Sequence, residues 1–98
     1  MPLNDRDNSA APPTPHEHVI FTDLDGAEGV LVDLNTRQYY QLNETASVIW
    51  RGLTKGKPIV DIVREITELY DVTSEHAQSS VDAAIARFLG HHLLKQSR

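Results

Sequence analysis

From Gly29 to Trp50 the chain reads, without a break, as two strand-like runs, a polar turn and a capped helix. Val30 to Leu34 is aliphatic and rich in β-branched residues, and Asn35-Thr36 opens a turn. Arg37 to Leu42 then alternates, so that Tyr40 and Leu42 share one face while Tyr39 and Gln41 share the other. Asn43 stands where a helix N-cap belongs, and Glu44 lies in the first turn, where its charge suits the helix dipole. Ala46, Ile49, Trp50 and Leu53 follow at helical spacing, which places Trp50 in the core stripe.

Upstream, His18 to Thr22 is a second strand-like run, joined to Val30–Leu34 through Asp23-Leu24-Asp25-Gly26, where Asp25-Gly26 is a strong turn signal. A hairpin is expected there, and with Arg37–Leu42 it makes three short antiparallel strands. Downstream, Gly52 and Gly56 with Lys55 and Lys57 end the first helix, and Pro58 suits the first position of a second. That helix is apolar through Ile59, Ile62, Val63, Ile66, Leu69 and Tyr70. Thr73 or Ser74 can cap a third, with Ala77, Val81, Ala84, Ile85, Phe88 and Leu89 on its buried side. Three strands followed by three helices is an α+β fold.

With 98 residues there is room for one domain, expected over residues 17–95, and for no deep cavity. Residues 1–16 are expected to be a disordered tail. Up to Pro15 this stretch has Arg6 as its single basic residue, no apolar run, and Pro12, Pro13 and Pro15 close together, a pattern of neither a signal peptide nor a membrane span. A cytoplasmic protein without a membrane partner is the expectation. The chain has no cysteine, so disulfides, thiolate metal sites and cysteine nucleophiles are out of reach. Its net charge of −5 argues against a nucleic-acid partner, which needs a clustered positive surface.

The third strand is last in the meander, so one row of its backbone groups is either covered, merely exposed, or open to an added peptide strand. Tyr40 is expected in the core with Leu42, and Tyr39 outside, where an aromatic with a polar tip suits an interface. On the third helix Ala84 leaves space, and Arg87 beside it offers a fork that matches a carboxylate. His16-Glu17-His18 and His91-His92 hold metal-ligating side chains, but their spacing defines no site. No serine or cysteine lies near either pair to form a hydrolytic constellation, and the five glycines make no phosphate loop. No catalysis by this chain and no cofactor are expected.

The run Tyr39-Tyr40-x-Leu42-Asn43-Glu44-Thr45-Ala46, with Ile49-Trp50, the Ile62 to Ile66 stripe, Tyr70-Asp71-Val72 and the closing Leu93-Leu94, resembles the PqqD family over about Val19 to Leu94. The resemblance implies a winged helix-turn-helix used to recognise ribosomally made precursor peptides. A leader peptide would lie antiparallel along the third strand and against the third helix. Its contacts would be Arg37, Gln38, Tyr39, Tyr40, Gln41 and Leu42 on the strand, and Val81, Ala84, Arg87, Phe88 and His91 on the helix. The leader would then be presented to a modifying enzyme: a radical S-adenosylmethionine enzyme in pyrroloquinoline quinone synthesis, or a leader protease or cyclase in pathways such as those of lasso peptides. Two positions depart from the family pattern. Arg37 stands in the turn where Gly is frequent, so a different turn is expected, and His92 stands where a Gly commonly precedes the last leucines.

Two rival readings belong to other classes. Winged helix-turn-helix domains also serve as DNA-binding regulators, but the third helix sets Glu75 and Asp82 against Arg87, with no lysine. A structural subunit docking on an enzyme would use the acidic hairpin of Asp23, Asp25, Glu28 and Asp33, which is otherwise a solvated face.

Overall fold

The computed structural model describes residues 12–25 and 27–96. Gly26 of the expected hairpin turn and the first eleven residues of the expected tail lie outside the described residues. In chain order the elements are β1 (Thr14–Pro15), β2 (Val19–Asp23), β3 (Gly29–Asp33), β4 (Gln38–Leu42), α1 (Glu44–Thr54), α2 (Ile59–Tyr70), α3 (Ser74–Gly90) and β5 (Leu94–Lys95). A three-stranded antiparallel sheet therefore precedes three helices, and the fold is α+β as expected.

The sheet runs β2-β3-β4, with Phe21, Leu31 and Tyr40 in register across it. Leu31 is wholly buried, and Phe21 and Tyr40 pack against the core from either side. The neighbouring row, Ile20, Val32 and Tyr39, stands on the outer face, where Tyr39 is 72% exposed. Alternation in sequence thus becomes two faces in space, as the pleat requires.

The β3–β4 turn is held by Asp33. Its Oδ1 accepts from the backbone N–H of Asn35 at 2.9 Å and of Thr36 at 3.3 Å, while the Arg37 N–H donates to the Asp33 carbonyl at 2.6 Å. Arg37 itself takes φ 65°, the left-handed region that glycine enters at no steric cost. The expectation of a different turn is corrected: Arg adopts the conformation that a Gly would supply. Asp33 is buried, so it cannot belong to an acidic docking face, and Asp23 is engaged by Arg51 Nη2 at 3.5 Å.

Helix caps follow the sequence closely. The Asn43 side chain accepts from Ala46 N–H at 2.9 Å, and Thr73 Oγ1 accepts from His76 N–H at 3.1 Å. Pro58 sits one position earlier than expected, as the extended residue before α2. Gly52 lies inside α1 rather than ending it, because a Cβ there would stand 2.8 Å from Ile62 Cγ1; its absence lets α1 and α2 approach. Gly56, at φ 76°, makes the stop: its N–H donates to Leu53 and that of Lys57 to Gly52. The same pattern closes α3, where His92 takes φ 60°, its N–H donates to the Leu89 carbonyl, and Leu93 N–H donates to Phe88.

The core lies between the sheet and the helices, with Trp50 and Phe88 meeting edge to face at 5.1 Å. Leu69, expected on the buried stripe of α2, is instead 55% exposed: it lies at the C-terminal end of that helix, beyond the buried Ile62, Val63 and Ile66. Ile85 and Leu89 are half-buried. Two strands were not foreseen. Residues 14 and 15, read from sequence as tail, pair antiparallel with β5, and His16 N–H donates to the Leu93 carbonyl at 3.1 Å. The folded unit therefore begins earlier than residue 17.

Candidate peptide-binding groove

Strand β4 pairs with β3 on one side, and among the described residues no strand pairs with its other side. It runs directly into the Asn43 cap of α1, so its open edge ends where that helix begins. On the helix-facing side, Tyr40 meets the imidazole of His91 at 4.8 Å between ring centroids, which fixes the end of α3 beside the strand.

Beginning at Asn43, directly after β4, a groove of about 310 Å³ lies between α1 and α3. One wall is the start of α1 with its cap: Asn43, Thr45, Ala46 and Ile49. The other is α3: Ser80, Ala83, Ala84 and Arg87. Ile49 and Ala46 are buried and form an apolar floor, whereas Arg87 is exposed at the rim. Three small residues on the α3 wall keep the space open, since none fills more than a methyl or hydroxymethyl group.

The strand residues expected to bind a peptide are together. Arg37, Gln38, Tyr39 and Gln41 are exposed, and Tyr40 is half-buried. On α3, Ala84 and Arg87 line the groove, and His91 is exposed beside Tyr40. Val81 and Phe88, expected to accept side chains of the peptide, are at most 1% exposed and belong to the core, and the Leu42 side chain is buried too, which leaves to Leu42 the backbone role expected of the strand. Helical periodicity had put all of α3's apolar residues on one face, but the width of that face did not say where core ends and groove begins. Asn43, Thr45, Ala46, Ile49, Ser80 and Ala83 also line the groove and were not among the expected site residues. For Ser80 and Ala83 the sequence signal was their small side chains, spaced with Ala84 to share one side of a helix.

Electrostatically the site is simple. Burial of Asp33 raises its carboxyl, but the amides of Thr36 and Asn35 and the nearby His18, with Nε2 at 3.6 Å, outweigh this and hold it below the ordinary value. Behind the start of α1, burial and the neighbouring Glu44 carboxylate push the Tyr70 hydroxyl up. The histidine pairs do not converge: His18 sits by Asp33, stacked on His16 at 4.9 Å, while His91 lies on Tyr40. Among the described residues no three metal-ligating side chains come together, and no helix is long and apolar enough to cross a membrane.

Comparisons with known proteins agree with this fold. A solved structure described as "TbiB1 in Complex with the TbiA(beta) Leader Peptide" superposes with a TM-score of 0.79 at 26% identity, covering 87% of this chain and 98% of that one. A second, "Lasso peptide synthetase B1 complexed with the leader peptide", shares the fold with a TM-score of 0.75 at 24% identity, covering 86% and 96%. No curated protein matches significantly. The sequence model of the family described as "Coenzyme PQQ synthesis protein D (PqqD)" matches residues 28–94, from the start of β3 to the start of β5 and through both walls of the groove, and the chain belongs to that family.

Proposed function

We propose that this protein is a recognition element that binds the leader of a ribosomally synthesised precursor peptide and presents it to a modifying enzyme. The observation that carries this reading is the unpaired edge of β4, tied to the end of α3 through Tyr40 and His91 and followed directly by Asn43, which lines the groove between α1 and α3. Membership of the PqqD family and likeness to a protein solved with a leader peptide support it.

Physically, a peptide added antiparallel to Gln38–Leu42 gains backbone hydrogen bonds, each worth about 1 kcal/mol net. A micromolar complex needs about −8 kcal/mol, so a few such bonds do not suffice once ordering of the peptide is counted. The remainder comes from apolar side chains seated in the groove, at roughly 2 kcal/mol for one of leucine size. The protein's role is binding and presentation; the bond-making belongs to its partner, a radical S-adenosylmethionine enzyme, leader protease or cyclase.

Binding of a labelled synthetic leader from a candidate precursor tests this reading. Saturable binding to the wild-type chain is expected, with at least about a tenfold loss for Ala84→Lys, which fills the groove while keeping it positive and costs little in helix propensity. Equal affinity in a variant with an unchanged thermal midpoint would remove the groove from the account.

A further inference from the structure

We infer that the peptide taken by this groove carries an aspartate or glutamate that pairs with Arg87, close to a bulky apolar residue seated between α1 and α3; this rests on the peptide-binding reading above. Of the residues that line the groove, Arg87 alone is charged. Among the described residues Arg51, Lys57 and Arg64 are paired, with Asp23, Glu65 and Asp61 respectively, whereas Arg37, Lys55, Arg87 and Lys95 form no ion pair, and of these four Arg87 alone lines this groove.

Arg87 has no such partner among the described residues. Its helix neighbours three and four positions away are Ala83, Ala84, Gly90 and His91, none of them acidic. Asp82 is held by Gln78 Nε2 at 2.9 Å, and Glu44 on the facing helix lies beside the Tyr70 hydroxyl. The side chains that β4 turns toward α3 are uncharged. The guanidinium therefore keeps its donors for a ligand, and the fork geometry selects a carboxylate over a neutral acceptor. A place in the last turn of α3 gives any cation a favourable dipole interaction, but that alone requires neither the groove nor a bare surrounding.

The peptide is antiparallel to β4 and the groove opens beyond Leu42, so the carboxylate at the rim and the apolar residue on the Ala46–Ile49 floor both precede the segment that pairs with the strand.

Selection of phage-displayed random linear peptides on the full chain tests the inference, with Arg87→Glu, Arg87→Ala and Ala84→Lys as parallel targets, each confirmed folded by circular dichroism. The wild type is expected to enrich Asp or Glu at a fixed spacing from a large apolar residue. Arg87→Glu should enrich Lys or Arg at that position, and Arg87→Ala should lose the charge preference. A synthetic peptide of the wild-type consensus should bind Arg87→Glu about tenfold or more weakly. If wild type and Arg87→Glu enrich the same apolar motif without an acidic position, the carboxylate inference is overturned while peptide binding stands. Enrichment no different between wild type and Ala84→Lys overturns both.

Discussion

The Tyr40 ring lies 4.8 Å from the imidazole of His91, inclined at 42°, and this contact ties the open strand β4 to the C-terminal turn of α3. It sits on the strand to which a peptide would add, one helical turn from Arg87 of the groove. His91→Ala removes a ring-to-ring contact worth about 0.5–1.5 kcal/mol. A stability in denaturant unfolding lowered by no more than that, together with leader binding weakened severalfold, is expected. Unchanged binding with the same loss of stability would make the contact purely a fold element.

Acid should act on the turn that leads into β4. Asp33 has a carboxyl held below the ordinary value, so its contribution to stability is present above the unfolded carboxylate value of about 3.9 and is lost as pH falls through the lower folded one. The Asn35 and Thr36 amides, which donate to Asp33 Oδ1, should report the loss first. Melts across this acid range should show a fall in stability that Asp33→Asn flattens. An identical pH profile for the variant would show that the carboxylate charge is not what holds the turn.

Both chain reversals beside the site were visible in the sequence only in part. Asn43 and Thr73 declared their helices because a capping side chain is a local device, readable from one residue and its neighbours. The alternation of Arg37–Leu42 gave the faces of β4 for the same reason. Arg37 and His92 did not declare positive φ, since their residue types disfavour it and the surrounding hydrogen bonds impose it. The β1–β5 pair was hidden because two residues, one of them Pro15, carry no periodicity, and their partners lie at the other end of the chain. Of the groove only Ala84 and Arg87, on the third helix, were legible. Asn43 and Thr45 join the site only through the packing of α1 against α3, which no local pattern encodes.

Gly52 offers a test of the packing that positions α1. A Cβ at this site would meet Ile62 Cγ1 at 2.8 Å, and Ile62 is wholly buried and has no room to turn away. Gly52→Ala gains about 1 kcal/mol of helix propensity but should lose about 1–3 kcal/mol to overpacking. A net fall in stability of about 1 kcal/mol is expected from chemical denaturation. A rise would mean that α1 and α2 separate at little cost.

The central claim is that a leader adds to β4 and fills the α1–α3 groove, and the most direct measurement is a titration of isotope-labelled protein with the synthetic leader of a candidate precursor encoded beside it. Saturable amide shifts concentrated in Gln38–Leu42, Asn43–Ala46 and Ser80–His91 are predicted, with slowed hydrogen exchange at the β4 amides that face outward from the sheet. Saturable binding whose shifts centre instead on Ile59, Ile85 and Leu89, on the other side of α3, with β4 unmoved, would contradict the account.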